Sequence, residues 1–277
     1  MSGILRLLLN RLGISLIVLV GVSMLIFAIA RIIPGDPARI ALGPNANAEQ
    51  IASLRAEMHL DASLPVQYGH FVADVLRGDL GMSLYTNRPV TQDIAQFLPA
   101  TLELVFLAGF IMVAFGLPLG ILAARHRGRW QDHLVRVIAL LTVSAPGFVW
   151  AVILMLLFAF YLPLFPIAGR ISDIYDIERT TGFLTIDTLL VGNWAAFGSA
   201  VHHLILPAIA LSLSGIGQAA RLTRANMVET YEKPYIEMAQ AYGFFPSRIA
   251  RSYAFKPSLI PSRTIIGLDF AAMLGNA

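Results

Sequence analysis

The chain of 277 residues is 57% hydrophobic and only 13% charged, with a net charge of +3 and a mean hydropathy of +0.70. A soluble domain carries about 25% charged residues, so this composition excludes an ordinary soluble enzyme and points to several membrane spans. No cysteine is present, which excludes disulfides, thiolate metal sites and cysteine nucleophiles.

A span needs roughly 20 apolar residues. The first, 12–33, follows Arg6 and Arg11 and stops at Pro34-Gly35-Asp36-Pro37. It is too long for a cleavable signal, and no small-residue cleavage site follows it. Segment 34–98 is polar and holds more acids than bases. Within it Asn47, followed by Glu49 and Gln50, reads as a helix start. Tyr68, Phe71, Val72 and Val75 form one apolar helical face, and Gly78-Asp79-Leu80-Gly81 reads as a turn. The second span, 99–124, carries Glu103 near its outer end, where a structural hydrogen bond is the plainer role. The third, 134–164, is long enough to tilt, and Ser144-Ala145-Pro146 inside it predicts a kink or an end of regular helix.

His202-His203 precede the fourth span, 204–220. Adjacent residues do not share a helix face, so they are not read as a metal pair. The fourth span holds Ser212, Ser214, Gly215, Gly217 and Gln218. Small residues of this kind serve close helix packing. Ser214 and Gln218, at i and i+4, also share a face that suits a polar path. A fifth segment, 264–277, is too short to span and contains Asp269. An ionisable group at that depth lines a water-filled path or satisfies a contact between helices, and both readings stay open.

Charge alternates between the connections. Segment 125–136 carries Arg125, Arg127, Arg129 and Arg136 against Asp132, and 221–263 is likewise basic. Segments 34–98 and 166–200 are acidic on balance. The bias of Lys and Arg toward the cytoplasm then places the N-terminus and the two basic connections inside.

Segment 221–263 is the most informative. Pro234 suits a first helical turn, Glu237, Ala239, Gln240 and Ala241 continue it, and Gly243 suits the residue just past its end. A second short helix after Pro246 would carry Arg248, Ile249 and Arg251, with Pro257 and Pro261 marking re-entry to the membrane. Two short helices at a fixed angle make a rigid lever for a cytoplasmic partner. An amphipathic interfacial helix is the plainer alternative, and Arg248, Arg251 and Lys256 also suit anionic headgroups.

Glu237-Met238-Ala239, three residues, then Gly243 and a distal Leu259-Ile260-Pro261 resembles the Glu-Ala-Ala loop of ABC-transporter permease subunits. Met238 stands where the first Ala is usual. The wider spacing to Leu259-Ile260-Pro261 resembles the dipeptide/oligopeptide/nickel branch of the binding-protein-dependent importers. Arg31-Ile32-Ile33-Pro34-Gly35-Asp36-Pro37, Gly78-Asp79-Leu80-Gly81-Met82-Ser83, Leu98-Pro99-Ala100-Thr101-Leu102-Glu103-Leu104 and Ser144-Ala145-Pro146-Gly147-Phe148 are similar to further signatures of that branch.

The resemblance implies an all-α polytopic helical bundle of the type I importer permease fold. It would be one domain over 1–277, with about five of six expected spans present and the fifth ending at Ala277. It implies a multi-pass subunit of the cytoplasmic (inner) membrane, not an enzyme and without cofactor or metal. Its partners would be a homologous second permease, two cytoplasmic ATPase subunits that hydrolyse the ATP, an extracytoplasmic solute-binding protein and membrane lipid, with no nucleic acid. The cargo would be a di- or oligopeptide, a nickel chelate or glutathione. Glu237, Ala239, Gln240, Gly243, Arg248 and Pro261 would couple to the ATPases, and Ser212, Ser214, Gln218 and Asp269 would lie on the translocation path.

A rival class is a secondary transporter driven by an ion gradient. It predicts inverted repeats and midplane ion ligands; no repeat is apparent in the chain and its spans hold few acids. No G-x-x-x-x-G-K-[ST], H-E-x-x-H or G-x-S-x-G pattern occurs in the sequence.

Overall fold

A computed structural model describes residues 3–32, 37–43, 46–57, 59–83 and 85–276. These residues are mostly helical, with turns, an irregular segment over 162–183 and one isolated bridge between Met82 and Pro89. They divide into two compact units, Met1–Ala95 and Gln96–Ala277.

In the first unit, α1 (Gly3–Ile32) is apolar and exposed along most of its length. The expected stop at Pro34-Gly35-Asp36 lies outside the described residues. Helix α2 (Pro37–Leu42) precedes α3 (Ala48–Glu57). The start of α3 is the one read from Asn47. The Gln50 N–H donates to Asn47 Oδ1 at 2.7 Å and the Asn47 N–H to Gln50 Oε1 at 3.0 Å, a reciprocal capping box. Helix α4 (Leu64–Leu76) follows. Buried Gln67 pins the preceding turn by donating Nε2 to the Leu60 and Ala62 carbonyls. Tyr68 and Phe71, from the expected apolar face, pack on Phe27 of α1. The expected turn closes with the Gly81 N–H on Asp79 Oδ1 at 2.8 Å.

In the second unit, α9 (Trp194–Tyr231) is the axis. Helices α6 (Trp130–Ser144), α7 (Gly147–Leu154), α8 (Leu184–Leu190) and α12 (Lys256–Asn276) pack on it. Helix α5 (Val90–Arg125) meets it at close range through glycines. Gly116 and Gly120 lie against Ala219, Ala220 and Thr223, and a Cβ on Gly120 would sit 2.6 Å from the Ala220 carbonyl oxygen. On the α6 side, a Cβ on Gly217 would sit 2.2 Å from Thr142 Oγ1. The small residues of 204–220 therefore include a true packing seam, the geometry expected where helices associate by close backbone approach. Val105, Ala108, Met112, Ala208, Ala219 and Met273 form the adjoining core.

Leu5–Arg31, Val90–Arg125 and Trp194–Tyr231 are each long and apolar enough to cross a membrane. A fourth such segment is the pair Trp130–Ser144 and Gly147–Tyr161, bent by 101°. The break falls at Ala145-Pro146, because proline removes a backbone donor and pushes the residue before it out of helical geometry. Ala145 is extended, at φ −115° and ψ 144°. Beyond the bend, α7 continues as a π-helix over Met155–Tyr161. Helices α5 and α9 overrun the apolar stretches at their polar ends, since helical bonding does not stop where hydropathy does.

The second short helix expected after Pro246 is corrected. Helix α11 (Pro246–Arg248), a π-helical stretch (Ile249–Phe255) and α12 are continuous, so 246–276 is one helical rod. Pro257 and Pro261 lie within α12. The π-helical bonding just before Pro257 already interrupts the i−4 ladder, where a missing N–H costs least. With Lys256, Arg263 and Asp269 on it, α12 is not among the helices apolar enough to count as a span by composition alone.

Segment 166–193 is fastened by buried acids. Glu103 accepts from Arg170 Nη2 at 2.6 Å, from the Thr185 N–H at 2.7 Å and from its hydroxyl at 2.6 Å. Its role is structural, as its position suggested. Asp187 accepts from the Thr181 hydroxyl and N–H and from the Gly182 N–H. Burial pushes the Asp187 carboxyl up, but these hydrogen bonds outweigh it and hold the group below the usual carboxylate range.

Candidate functional site

Two regions gather the residues singled out from sequence. The first is the elbow around α10 (Pro234–Ala241). Pro234 begins the helix, and Ile236 and Ala239, one turn apart, are its buried face. They pack with Ala124, Met227, Ile249 and Ala254, flanked by Phe244 and Tyr253. Complete burial of a side chain such as Ile236 contributes about 1.5–3 kcal/mol.

The helix ends as its glycine demands. Gly243 has φ +72°, its N–H reaches the Gln240 carbonyl at 2.9 Å, and the Phe244 N–H reaches the Ala239 carbonyl at 3.1 Å. This is a Schellman end with its apolar contact between Phe244 and the cluster. Arg248 lies over the Phe244 ring, 5.0 Å from its centroid. The elbow is thus a fixed corner.

Its outer surface is unusual for a polar connection. Tyr235, Met238, Tyr242 and Phe245 are 39%, 58%, 74% and 77% exposed. With exposed Glu237 and Gln240 beside them, they form an apolar ridge rimmed by polar groups, the signature of a contact surface. Of the expected coupling residues, Glu237, Ala239, Gln240 and Gly243 share this corner and Arg248 joins it through Phe244. Pro261 does not; it is an exposed residue inside α12.

Ion pairs hold the corner to the neighbouring connection. Asp132, buried at the start of α6, accepts from Nε of Arg224 and from its Nη2 at 2.7 Å, and from the Gly128 N–H at 3.0 Å. Arg127 meets Glu232 at 2.7 Å.

The second region is a cavity of about 670 Å³ between α6, α7, α9 and α12. Ser214, Gln218 and Asp269 line it, opposite Pro146, Gly147 and Phe148 at the helix break. Gln218 Nε2 donates to Asp269 Oδ1 at 2.6 Å, and Oδ2 has no hydrogen-bond partner among the described residues. Three of the four expected path residues therefore face one space. Ser212 does not: it is fully buried and its hydroxyl donates back to the Ile209 carbonyl at 2.9 Å. Two residues apart on a helix point nearly opposite ways, so Ser212 packs while Ser214 lines.

His202 and His203 each engage a backbone carbonyl, of Leu164 and Ser199. Their rings stand at 86° to one another and do not converge.

Sequence reasoning missed Phe244 as the elbow's anchor, the cavity wall at Gly147 and Phe148, and the Asp132–Arg224 pair. The first two had local signals, an aromatic after the terminal glycine and a proline break. The pair had none, because its members lie 92 residues apart.

Residues 116–277 match the family model described as binding-protein-dependent transport system inner membrane component, and residues 4–105 match that family's N-terminal model. The chain is 41% identical over 262 residues to the probable D,D-dipeptide transport system permease protein of Escherichia coli K12, covering 94% of this chain and 77% of the relative. It is 39% identical to the di/tripeptide transport system permease protein of Pseudomonas aeruginosa UCBPP-PA14, covering 97% of this chain and 80% of the relative. To the dipeptide transport system permease protein of Escherichia coli K12 it is 37% identical, covering 99% and 82%.

Proposed function

We propose, from the premise that this chain belongs to the family of binding-protein-dependent transport system inner-membrane components, that it is the permease subunit of an ATP-driven importer of short peptides. The relatives at 37–41% identity are named for dipeptides, D,D-dipeptides and di/tripeptides, which supports peptide as the cargo class. The chemistry of import is conduction, so the protein needs a path and a handle rather than a nucleophile.

One observation carries the reading. The exposed ridge at Tyr235, Met238, Tyr242 and Phe245 sits on a rigid corner, and a continuous helix runs from that corner at Pro246 to Asp269 in the cavity. A push on the ridge is thereby transmitted along helix to the polar lining. Two ATPase subunits, a homologous second permease and an extracytoplasmic binding protein would complete the system, with the N-terminus and the corner on the cytoplasmic side as the basic connections favour. Nucleotide and loaded binding protein would supply the differential binding energy that conformational change requires. Glu237, Ala239, Gln240, Gly243 and Arg248 serve the handle; Ser214, Gln218 and Asp269 serve the path.

The test is a photo-crosslinking residue at position 240 in the assembled transporter. Capture of an ATPase subunit is the expected result. Uptake that proceeds without ATP and follows an imposed ion gradient, with nothing captured at 240, overturns the reading in favour of a secondary transporter.

A further inference from the structure

A second concave surface, separate from both the ridge and the cavity, lies where α5 ends and the rod 246–276 begins. It is a groove of about 840 Å³. Among the described residues four cations line it, Arg248, Arg251, Lys256 and Arg263, and no acid does. Along α12, positions 256, 259 and 263 follow one another at i+3 or i+4 and share a face, and Arg251 precedes Lys256 by five residues, the π-helical spacing. The serines Ser247 and Ser252 add hydroxyl donors between the charges. The apolar part of the lining comes from Ile121 of α5, across the groove, and from Phe255 and Leu259 beside the cations on the rod.

A run of surface cations is ordinarily a solvated face. Three features set this one apart. First, Arg251, Lys256 and Arg263 are exposed and make no ion pair with any described residue, whereas Arg127, Arg224 and Lys233 nearby each have an acidic partner. Second, like charges brought to one concavity repel unless an anion sits among them, so the arrangement is stable in proportion to what fills it. Third, the apolar lining belongs to helices that lead away from the basic end toward the apolar stretches of α5 and α12. A water-soluble anion would use the cations and leave that lining wet.

We propose that this groove is a binding site for an anionic phospholipid. The headgroup phosphate is taken by Arg251, Lys256 and Arg263, arginine forks matching phosphate geometry, and the first acyl segment lies along Ile121, Phe255 and Leu259. Basic clusters at the foot of a membrane helix recognise anionic lipid in this way. The site rests on the membrane placement of α5 and α12 in the function proposed above. It adds a lipid whose occupancy bears on the root of the rod, so that membrane composition would tune how firmly the elbow is held.

The test is lipid binding to the purified chain in neutral detergent, followed by native mass spectrometry. Phosphatidylglycerol is titrated against phosphatidylcholine, with inorganic phosphate as competitor. Phosphatidylglycerol is expected to bind at least about tenfold more tightly than phosphatidylcholine, and tens of millimolar phosphate should displace it little. Each neutralised cation should weaken it about fivefold. The triple variant R251Q/K256Q/R263Q should therefore lose the preference, while R6Q/R11Q, which removes basic charge elsewhere, should keep it. If the triple variant does not fold, the single variants R251Q and R263Q, checked for helix content, give the same reading. Equal retention of both lipids, or retained preference in the folded triple variant, overturns the proposal. So does full competition by inorganic phosphate, which would make free phosphate the ligand. Lipid binding unchanged in the triple variant alongside lost assembly with the ATPase would assign the groove to a protein partner instead. None of these readouts uses transport, so their failure leaves the importer reading standing and failure of that reading leaves them interpretable.

Discussion

Replacing Gly243 with valine isolates the stiffness of the elbow from every other property of the chain. At φ +72° any L-residue is strained, by about 1–2 kcal/mol, and nothing lies within 4 Å of where its Cβ would be. The cost is therefore backbone strain alone. Set against the two terminal hydrogen bonds at 2.9 and 3.1 Å, it shifts the elbow between seated and frayed forms by roughly 5- to 30-fold. Asparagine tolerates left-handed geometry, so the expected order of function is Gly243, then Gly243→Asn, then Gly243→Ala, then Gly243→Val. The assay is ATP-driven peptide uptake per ATP hydrolysed in the reconstituted transporter, with membrane insertion of each variant measured alongside. Insertion should be constant and coupling should fall along the series. Equal loss in the asparagine and valine variants, or unchanged coupling with valine, would refute the argument that a locked corner carries the force.

Gly217→Val drives a side chain into Thr142 Oγ1 and the Ala139 carbonyl oxygen, 2.2 and 2.7 Å from the Cβ position. Overpacking of this kind costs about 1–3 kcal/mol or more, and thermal unfolding in detergent should show it, while Gly198→Val, in open space, should be far milder. Asp132→Asn leaves Arg224 without its counter-charge; breaking a buried pair costs about 3–5 kcal/mol, discounted here because Arg224 keeps 22% exposure. Stability should fall markedly, with the Arg224→Gln/Asp132→Asn double variant less affected than the sum of the singles. Asp187, whose carboxyl is depressed, contributes stability that is fully present above the unfolded value of about 3.9 and is lost as pH falls through its lower folded value. Protection of residues 181–190 against hydrogen exchange, corrected for the intrinsic rate at each pH, should therefore fall below about pH 4 in the wild type, and Asp187→Asn should remove that pH dependence.

What the sequence disclosed followed the range of the forces involved. The start of α3 at Asn47, the turn at Gly78–Gly81 and the end of α10 at Gly243 depend on bonds within a few residues, and all were legible. Ser214, Gln218 and Asp269 could be nominated by polarity at apolar positions, but only tertiary packing decides that Ser212 turns the other way. The rod 246–276 was misread because three prolines in an apolar-to-polar transition suggest breaks. A π-helical stretch that absorbs Pro257 leaves no composition signal. The Asp132–Arg224 and Glu103–Arg170 pairs join residues 92 and 67 apart, and a lone chain gives no means of matching such partners.

The glycine seam along α5, α6 and α9 limits how this protein can move. Gly116, Gly120 and Gly217 receive the Ala219, Thr223 and Thr142 side chains directly against bare backbone, so sliding by one notch would drive those side chains into the Cβ atoms of neighbouring residues. Those three helices behave as a keel that travels whole. Deformation during a transport cycle is thereby left to the weakest joint beside it, the proline break at Ala145-Pro146, which borders the polar cavity.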